Sequence, residues 1–379
     1  MSETAFVVPH WNNYPLLAQC LESLFAQTAT DFAVLVVDNG SNDGSPELVA
    51  RDFPRAEVIR LGRNLGFAAA ANRGIAASRS PLLAFVNNDV RLAPDWLEKM
   101  LRGFKGDPAL GACACKLLMA RSVAPAWSDV GPLCERAAGE TPPRSGGLQL
   151  AKIARPDVPR ATETLHASSE SPRLAGAGNL VLKSGFGRDR GYGEEDHGQY
   201  DRREKIFWAS GGACLIPRRL FDEIGPWDES FFAYFEDIDL GLRAHLKGYR
   251  CLYLPEAVGR HRGAATGKTV PRLGASLRFR NALTIALKDF PAPLLVRNLG
   301  YVLFAHLRAL AYLTRKGYFC EAIRSEFFLV RNLPRIMAER KKIQRSRTAS
   351  VSEIAALLSP EDFSASAVRG WFSGLAGEK

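Results

Sequence analysis

The sequence predicts an α/β fold, a mainly parallel sheet between helices, followed by a C-terminal helical extension. Three observations predict it. Residues 4–9, 32–37 and 82–86 are short, β-rich apolar runs without polar alternation, the pattern of strands covered on both faces. The segments between them repeat apolar residues at helical spacing, as crossovers between parallel strands require. Past His261 the chain becomes helical in pattern and rich in Arg and Lys.

Taken in order, Leu16, Leu17, Cys20, Leu21 and Leu24 predict the first crossover helix, and Leu48–Phe53 and Ala68–Ala77 the next two. From about Ala120 to Asp201 the residues turn to Pro, Gly, Ser and Arg with little periodicity, which predicts an irregular insertion over about 120–205, a place where specificity is often carried. Strands return at Ala213–Ile216 and Arg250–Leu254, with helices at Pro217–Ile224 and Asp237–Leu246. The expected organisation is an α/β domain over 1–265 and a basic amphipathic helical region over 266–379.

A chain of 379 residues suits about two domains. Its 50 Lys and Arg against 40 Asp and Glu leave a net charge of +10, which implies an anionic partner but does not choose among phosphate, nucleic acid and lipid headgroups. The seven cysteines form no CxxC pair and no zinc spacing, and the N-terminus lacks a basic segment followed by an apolar run, so a reducing, cytoplasmic setting is expected. Residues Pro293 to Leu313 are the longest apolar stretch, but Arg297, His306 and Arg308 inside it are costly at a bilayer centre and argue against a span. The C-terminal helices mix Arg278, Arg280, Lys288, Arg297, Arg308, Arg315, Arg324 and Arg331 with Phe304, Leu307 and Phe327. That mixture suits peripheral binding to an anionic membrane; helices packed on the α/β domain with a solvated basic face are the other reading.

Candidate chemistry gathers at strand ends. Asp38 closes an apolar run and Asn39–Gly44 turns back toward a helix, so its carboxylate can meet ribose hydroxyls or a base N–H; a plain Asx turn explains the same residues. Asn87, Asn88 and Asp89 close another run, where Asp89 can reach a divalent cation bridging two phosphates. Glu236, Asp237 and Asp239 follow Phe231, Phe232, Tyr234 and Phe235, an apolar setting that desolvates a carboxylate and favours proton abstraction. His261 ends a further strand and could add a nitrogen ligand, although a lone histidine is usually structural. Gly263–Thr269 has three residues between its glycines where a phosphate-binding loop of the ATPase type needs four, and no dinucleotide-binding glycine pattern follows the first strand.

In this order VVPHWNN, VVDNGSNDGS, RNLGFAAANRG, FVNNDV, GYGEEDHGQYD and ASGGACLIPRRLFDEIGPWDESFFAYFEDIDLGLR resemble the family 2 inverting glycosyltransferases, particularly rhamnosyltransferase-like enzymes of bacterial cell-envelope polysaccharide assembly. The resemblance spans nearly the whole chain and implies a GT-A fold. It implies that Pro9, Asp38, Asn64, Asn88 and Asp89 bind a UDP-, dTDP- or GDP-sugar and that Asp89 and His261 hold Mg²⁺ or Mn²⁺. It further implies that Asp237 is the catalytic base, with Trp227, Asp228, Glu236 and Asp239 on the acceptor side. The acceptor would be a lipid-linked or growing polysaccharide at the inner face of the cytoplasmic membrane, with no nucleic-acid partner. Two departures stand out: Asn87 holds the first acidic place of an ideal DxD, and His10-Trp11 replaces Thr-Tyr or Thr-Phe. The rival readings are a nucleotidyltransferase, for which VVPHWNNYP lacks the glycine-rich basic loop, a nucleic-acid-binding protein, and a noncatalytic sugar-nucleotide or membrane-binding member of the fold.

Overall fold

The computed structural model describes residues 2–120, 171–263 and 271–360. Residues 121–170 of the insertion expected over about 120–205, and most of the glycine-rich stretch after Gly263, lie outside the described residues. The first part alternates β1 (Thr4–His10), α1 (Tyr14–Phe25), β2 (Phe32–Asp38), α2 (Ser45–Asp52), β3 (Ala56–Arg60), α3 (Phe67–Ala77) and β4 (Leu82–Val86). These strands pair in parallel in the order β4-β1-β2-β3. The chain therefore runs from β1 outward to β3 and returns to the other side of β1. That reversal opens a crevice at the carboxyl ends of β1 and β4, where open α/β sheets take ligands.

The absence of polar alternation in these strands has a direct cause. Ala5 and Val7 of β1 pack with Leu35, Val37, Leu83 and Phe85 on one face of the sheet, whereas Phe6 and Val8 pack with Val34, Val36, Ala84 and Val86 on the other. Residues Ala68 to Ala71 of α3 are all buried, and a Cβ on Gly74 would stand 2.3 Å from Val7 Cγ1. Small residues thus let α3 lie close on β1.

The sheet continues through β5 (Val90–Leu92), α4 (Trp96–Gly103) and β6 (Leu110–Met119). Next come β7 (Leu174–Gly176), β8 (Asn179–Leu182), β9 (Gly187–Asp189), β10 (Glu204–Ile206), β11 (Ala213–Pro217), α5 (Arg218–Ile224), α6 (Glu236–Leu246) and β12 (Arg250–His261). Strand β11 is antiparallel between β4 and β6, and β12 is parallel to β6. Here the structure differs from the expectation of an irregular segment reaching residue 205, because residues 174–206 supply four short strands. Runs of three or four residues are too brief to show a period. The Lys116 ammonium, buried on β6, reaches Asp196 Oδ2 at 2.9 Å and also Asp201, so the acidic residues of GYGEEDHGQYD tie this segment to the sheet.

Helices α7 (Pro271–Asp289), α8 (Ala292–Arg297), α9 (Leu299–Arg315), α10 (Phe319–Ser346) and α11 (Val351–Leu357) complete the chain. Described residues up to Ala120 and from Pro172 onward form one compact unit, so these helices pack on the α/β body. Ile285, Ala286, Phe290 and Leu294 enter the core under the sheet, which makes α7 part of the α/β body. Among the described residues no helix is long and apolar enough to cross a membrane.

Candidate active site

Three loops meet at the carboxyl ends of β1, β2 and β4. Asp38, the last residue of β2, is buried and accepts the Ser41 N–H at 3.2 and 3.3 Å on its two oxygens, so the Asx turn is present with the carboxylate at the switch point. Gly40 needs its φ of +78°, and a Cβ there would lie 2.5 Å from the Arg63 backbone. Asn39 joins the turn to the next loop: its Oδ1 accepts Leu65 N–H at 2.8 Å and its Nδ2 donates to Asn64 Oδ1 at 3.1 Å and Gly66 O at 3.0 Å. Asn64 Oδ1 also accepts the Gly66 N–H at 2.9 Å, which makes Asn64 a shaper of the pocket wall.

His10, where the sequence departs from Thr, ends β1 beside Asp38. Burial lowers its pKa to about 4 in spite of the Asp43 and Asp38 charges, so the ring is neutral near pH 7. Asn88 Nδ2 donates to His10 Nδ1 at 2.9 Å, which leaves the proton on Nε2, an atom without a partner among the described residues. Pro9 pairs with Val37 of β2 and lies past Val7↔Phe85, the last pair of β1 with β4, so a missing N–H there costs the β4 ladder nothing.

Asp89 and His261 are 172 positions apart in sequence, but β5 pairs with β12 so that His261 lies opposite Val90. His261 Nε2 stands 3.1 Å from Asp89 Oδ1. Burial opposes charge on the ring, yet the Asp89 hydrogen bond and the charges of Asp89 and Asp189 outweigh it and raise the His261 pKa. A carboxylate oxygen facing an imidazole nitrogen is a donor set that suits Mn²⁺ or Mg²⁺. No group of three or more His, Cys, Asp or Glu surrounds a common point among the described residues, so a cation here would draw its other ligands from water and phosphate oxygens.

Asp237 is the second residue of α6. Its Oδ2 accepts Asn179 Nδ2 at 2.8 Å and Gly211 N–H at 3.1 Å, and its Oδ1 accepts the Ile238 N–H at 2.9 Å. Burial raises its pKa, and the three donors hold that rise back. The loop before it is strained: Phe232, Tyr234 and Phe235 have φ of 64°, 67° and 66°. Three bulky residues in the left-handed region cost roughly 1–3 kcal/mol each. Helix α7 offsets this. Asn281 Nδ2 is shared among Phe231 O at 3.1 Å, Ala233 O at 3.0 Å and Tyr234 O at 2.8 Å, and Arg280 donates to Ser230 O at 2.9 Å and Phe231 O at 3.0 Å.

Three of the residues expected on the acceptor side are engaged elsewhere. Trp227 is buried, edge-on to Phe85 at 5.3 Å and Phe67 at 5.8 Å between ring centroids, so it is part of the core. Asp239 is 0% exposed and is held by Arg243 Nε at 2.9 Å and by Lys288. Asp228 is taken by Lys288 at 2.7 Å and Arg335 at 3.2 Å. Glu236 does adjoin Asp237; burial, then the Asp237 charge, push its carboxyl well above the usual carboxylate range. Lys288, one of the cations of the C-terminal helices, is buried, and half-buried Arg280 turns inward to the Ser230 carbonyl.

Sequence reasoning missed Asn179, Asp189, Gly211 and Asn281. Asn179 and Asp189 are opposite partners on antiparallel β8 and β9, so both side chains stand on the face where Asn179 reaches Asp237. Asp189 keeps exposed surface there, and partial desolvation by the surrounding walls, followed by the Asp237 charge, pushes its carboxyl up. Both residues lie in the stretch without periodicity, and no local signal marks them.

The site therefore joins a nucleotide-type crevice, a carboxylate–imidazole pair and a fixed, elevated carboxylate. The family model "Glycosyl transferase family 2" matches residues 5–118 and "Glycosyl transferase family group 2" matches residues 194–320. The chain belongs to glycosyltransferase family 2. This transferase is 29% identical over 259 residues to N-acetylglucosaminyl-diphospho-decaprenol L-rhamnosyltransferase of Mycobacterium tuberculosis, a match covering 67% of this chain and 74% of that one. It is 34% identical over 112 residues to the putative glycosyltransferase EpsH of Bacillus subtilis, covering 29% of this chain and 32% of the relative. In fold the transferase is similar to GalNAc-T7, crystallised with UDP, GalNAc and Mn²⁺, with a TM-score of 0.55 at 11% identity over 90% of this chain and 58% of that chain. The fold is GT-A, and the residues that close the Asp237 site fall within the second matched segment apart from Asn179 and Asp189.

Proposed function

We propose that this glycosyltransferase moves a hexosyl group, rhamnosyl in the first instance, from a nucleoside diphosphate sugar to an acceptor hydroxyl with inversion, and that Asp237 is the base. The observation that carries the reading is Asp237 itself, fixed by Asn179 and Gly211 at the start of α6. A carboxylate that is held still, desolvated and raised in pKa can take a proton from an acceptor hydroxyl as that oxygen attacks the anomeric carbon. Pro9, Asp38, Asn88 and Asp89 would line the nucleotide-sugar site, with Asn64 shaping its wall. Asp89 and His261 would hold Mg²⁺ or Mn²⁺, which when bound neutralises charge on the departing diphosphate. Ligation needs His261 without its proton, so the raised pKa of the ring makes cation binding weaken as pH falls. The decaprenyl-linked substrate named for the mycobacterial relative supports a lipid-linked or polysaccharide acceptor, met at the inner face of the cytoplasmic membrane.

The test is nucleoside diphosphate release from a panel of UDP-, dTDP- and GDP-sugars with Mg²⁺ or Mn²⁺, for wild type and His261→Ala. The expected result is cation-dependent release from one donor class, reduced in the variant and partly restored by more cation. No binding and no release with any donor would remove the reading. A second expectation concerns Asn179, whose hydrogen bond lowers the Asp237 pKa. In Asn179→Ala that bond is lost, Asp237 titrates at higher pH, and the acidic limb of kcat/KM moves upward. An unmoved limb would mean that Asp237 is not the group whose ionisation the rate follows.

A further inference from the structure

Large apolar side chains are exposed on the outer helices in a regular pattern. On α9, Leu299, Leu303 and Leu307 recur every four residues with Phe304 beside them, and on α10 Phe319, Ile323 and Phe327 do the same, with Val330 and Met337 following at three and seven residues on that side. Leu307, Phe327 and Val330 are 62%, 66% and 72% exposed, and Val296 of α8 is 73% exposed. The opposite sides of these helices, Val302, Ala305, Ala309 and Leu313 on α9 and Ala322, Leu329 and Ile336 on α10, are buried. His306 Nε2 bonds Glu326 Oε1 at 2.8 Å between the two helices, on the flank that separates the buried from the exposed side in each. The two stripes therefore adjoin and form one outward apolar face. Single exposed leucines are ordinary, but a continuous face of this kind marks a binding surface.

Its border is cationic. Residues 292–347 hold twelve Lys and Arg against three Glu, a net +9 of the chain's +10. Arg297, Arg315, Arg324 and Arg331 are exposed and have no carboxylate partner among the described residues. A nucleic acid would use these cations but leave the Phe and Leu side chains in water. A bilayer with anionic headgroups takes both, apolar side chains into the acyl boundary and guanidinium groups among the phosphates.

We propose that the outer face of α8, α9 and α10 is a membrane-docking surface that lays the transferase flat on an anionic phospholipid bilayer. The proposal deepens the reading of a membrane-bound acceptor but does not depend on catalysis. Helix α10 also supports the segment before Asp237, since Arg335 pairs with Asp228 and Phe328 stacks at 4.0 Å under Arg280, which itself donates to Ser230 O and Phe231 O, so docking would bring the strained loop near the surface that holds a lipid-linked acceptor.

The experiment is flotation of the full chain with phosphatidylcholine vesicles, alone or with added phosphatidylglycerol, for wild type, Leu307→Glu/Phe327→Glu and Arg324→Glu/Arg331→Glu. Nucleoside diphosphate release and light scattering are measured on the same preparations. Wild type is expected to float with anionic vesicles and not neutral ones, and both double variants to bind at least tenfold more weakly while still releasing diphosphate as monomers. Equal flotation of all three proteins would overturn the surface assignment. A wild-type dimer that the apolar variant dissolves, without vesicle binding, would replace the bilayer with a second copy of the chain. Vesicle binding without any diphosphate release would sink the proposed function and leave the docking surface standing.

Discussion

Asp237→Asn is expected to lower kcat by about 10²–10⁴-fold, the range a positioned general base contributes, with nucleotide-sugar binding retained. The carboxylate makes no contact at the switch point that would hold the nucleotide; its partners are Asn179, Gly211 and its own helix. An amide has one oxygen to satisfy three donors, so one of these bonds is lost, at a cost of about 1 kcal/mol in stability. That is small beside the barrier change, and a melting temperature close to wild type separates the two effects. Isothermal titration with donor and steady-state turnover measured on one preparation give the answer. Turnover within a few fold of wild type would show that another group takes the proton, and Asp189 would be the first candidate because it stands on the same face.

Lys288→Met is expected to be the most destabilising single change among the charged residues. The ammonium is 2% exposed, lies 2.7 Å from Asp228 and also contacts Asp239, which has no exposed surface. Burial alone would depress its pKa, but Asp239, Asp289 and Asp228 outweigh that and raise it above the ordinary lysine value. Burial and the Asp239 charge push the Asp289 carboxyl up in turn. Removing Lys288 leaves buried carboxylates short of a cation, which costs about 3–5 kcal/mol. At a typical unfolding entropy per residue this lowers Tm by about 5 °C. The double change Lys288→Met/Asp239→Asn is expected to recover part of the loss, as coupled partners do. A Tm shift under about 1 °C in calorimetry would show that the cluster does not secure α7 to α6.

The pH dependence of this cluster follows from the signs of its shifts. Burial raises the Asp228 pKa, but Lys288 and Arg335 outweigh it and hold the carboxyl below the usual range. Its contribution is present above the ordinary Asp pKa and is lost as pH falls through the folded value. Lys288 is raised, so its contribution is present below the ordinary Lys pKa and is lost as pH rises through its folded value. Both contribute fully across neutral pH.

Much of the crevice was legible before any coordinates. The runs at 4–9, 32–37 and 82–86 lack alternation because both sheet faces are covered, and an acidic residue at the end of a buried strand is visible as a local pattern. Asp38, Asp89 and Asp237 could be picked out in that way. Asn179 and Asn281 could not: an asparagine has no periodic signature, and each acts through a partner 58 or about 50 positions away. Strand β6, the run LGACACKLLM, carries little local strand signal because alanine and cysteine give weak strand preference, although it is central to the sheet.

By itself the sequence determined the parallel half of the sheet, the acidic strand ends and the resemblance to family 2, because these depend on neighbours within a few residues. Only the tertiary structure decided which of the acids near residue 237 are available for chemistry. Asp228 and Asp239 lie in the same local pattern as Asp237, yet Lys288, Arg335 and Arg243 occupy them, and Asp237 alone is held by neutral N–H groups. It likewise decided which amphipathic faces are covered: spacing shows that residues share a side of a helix, but burial depends on what packs there. The side of α9 with Val302 and Ala305 is covered and the side with Leu303 and Leu307 is open, since only contacts distant in sequence can cover a face.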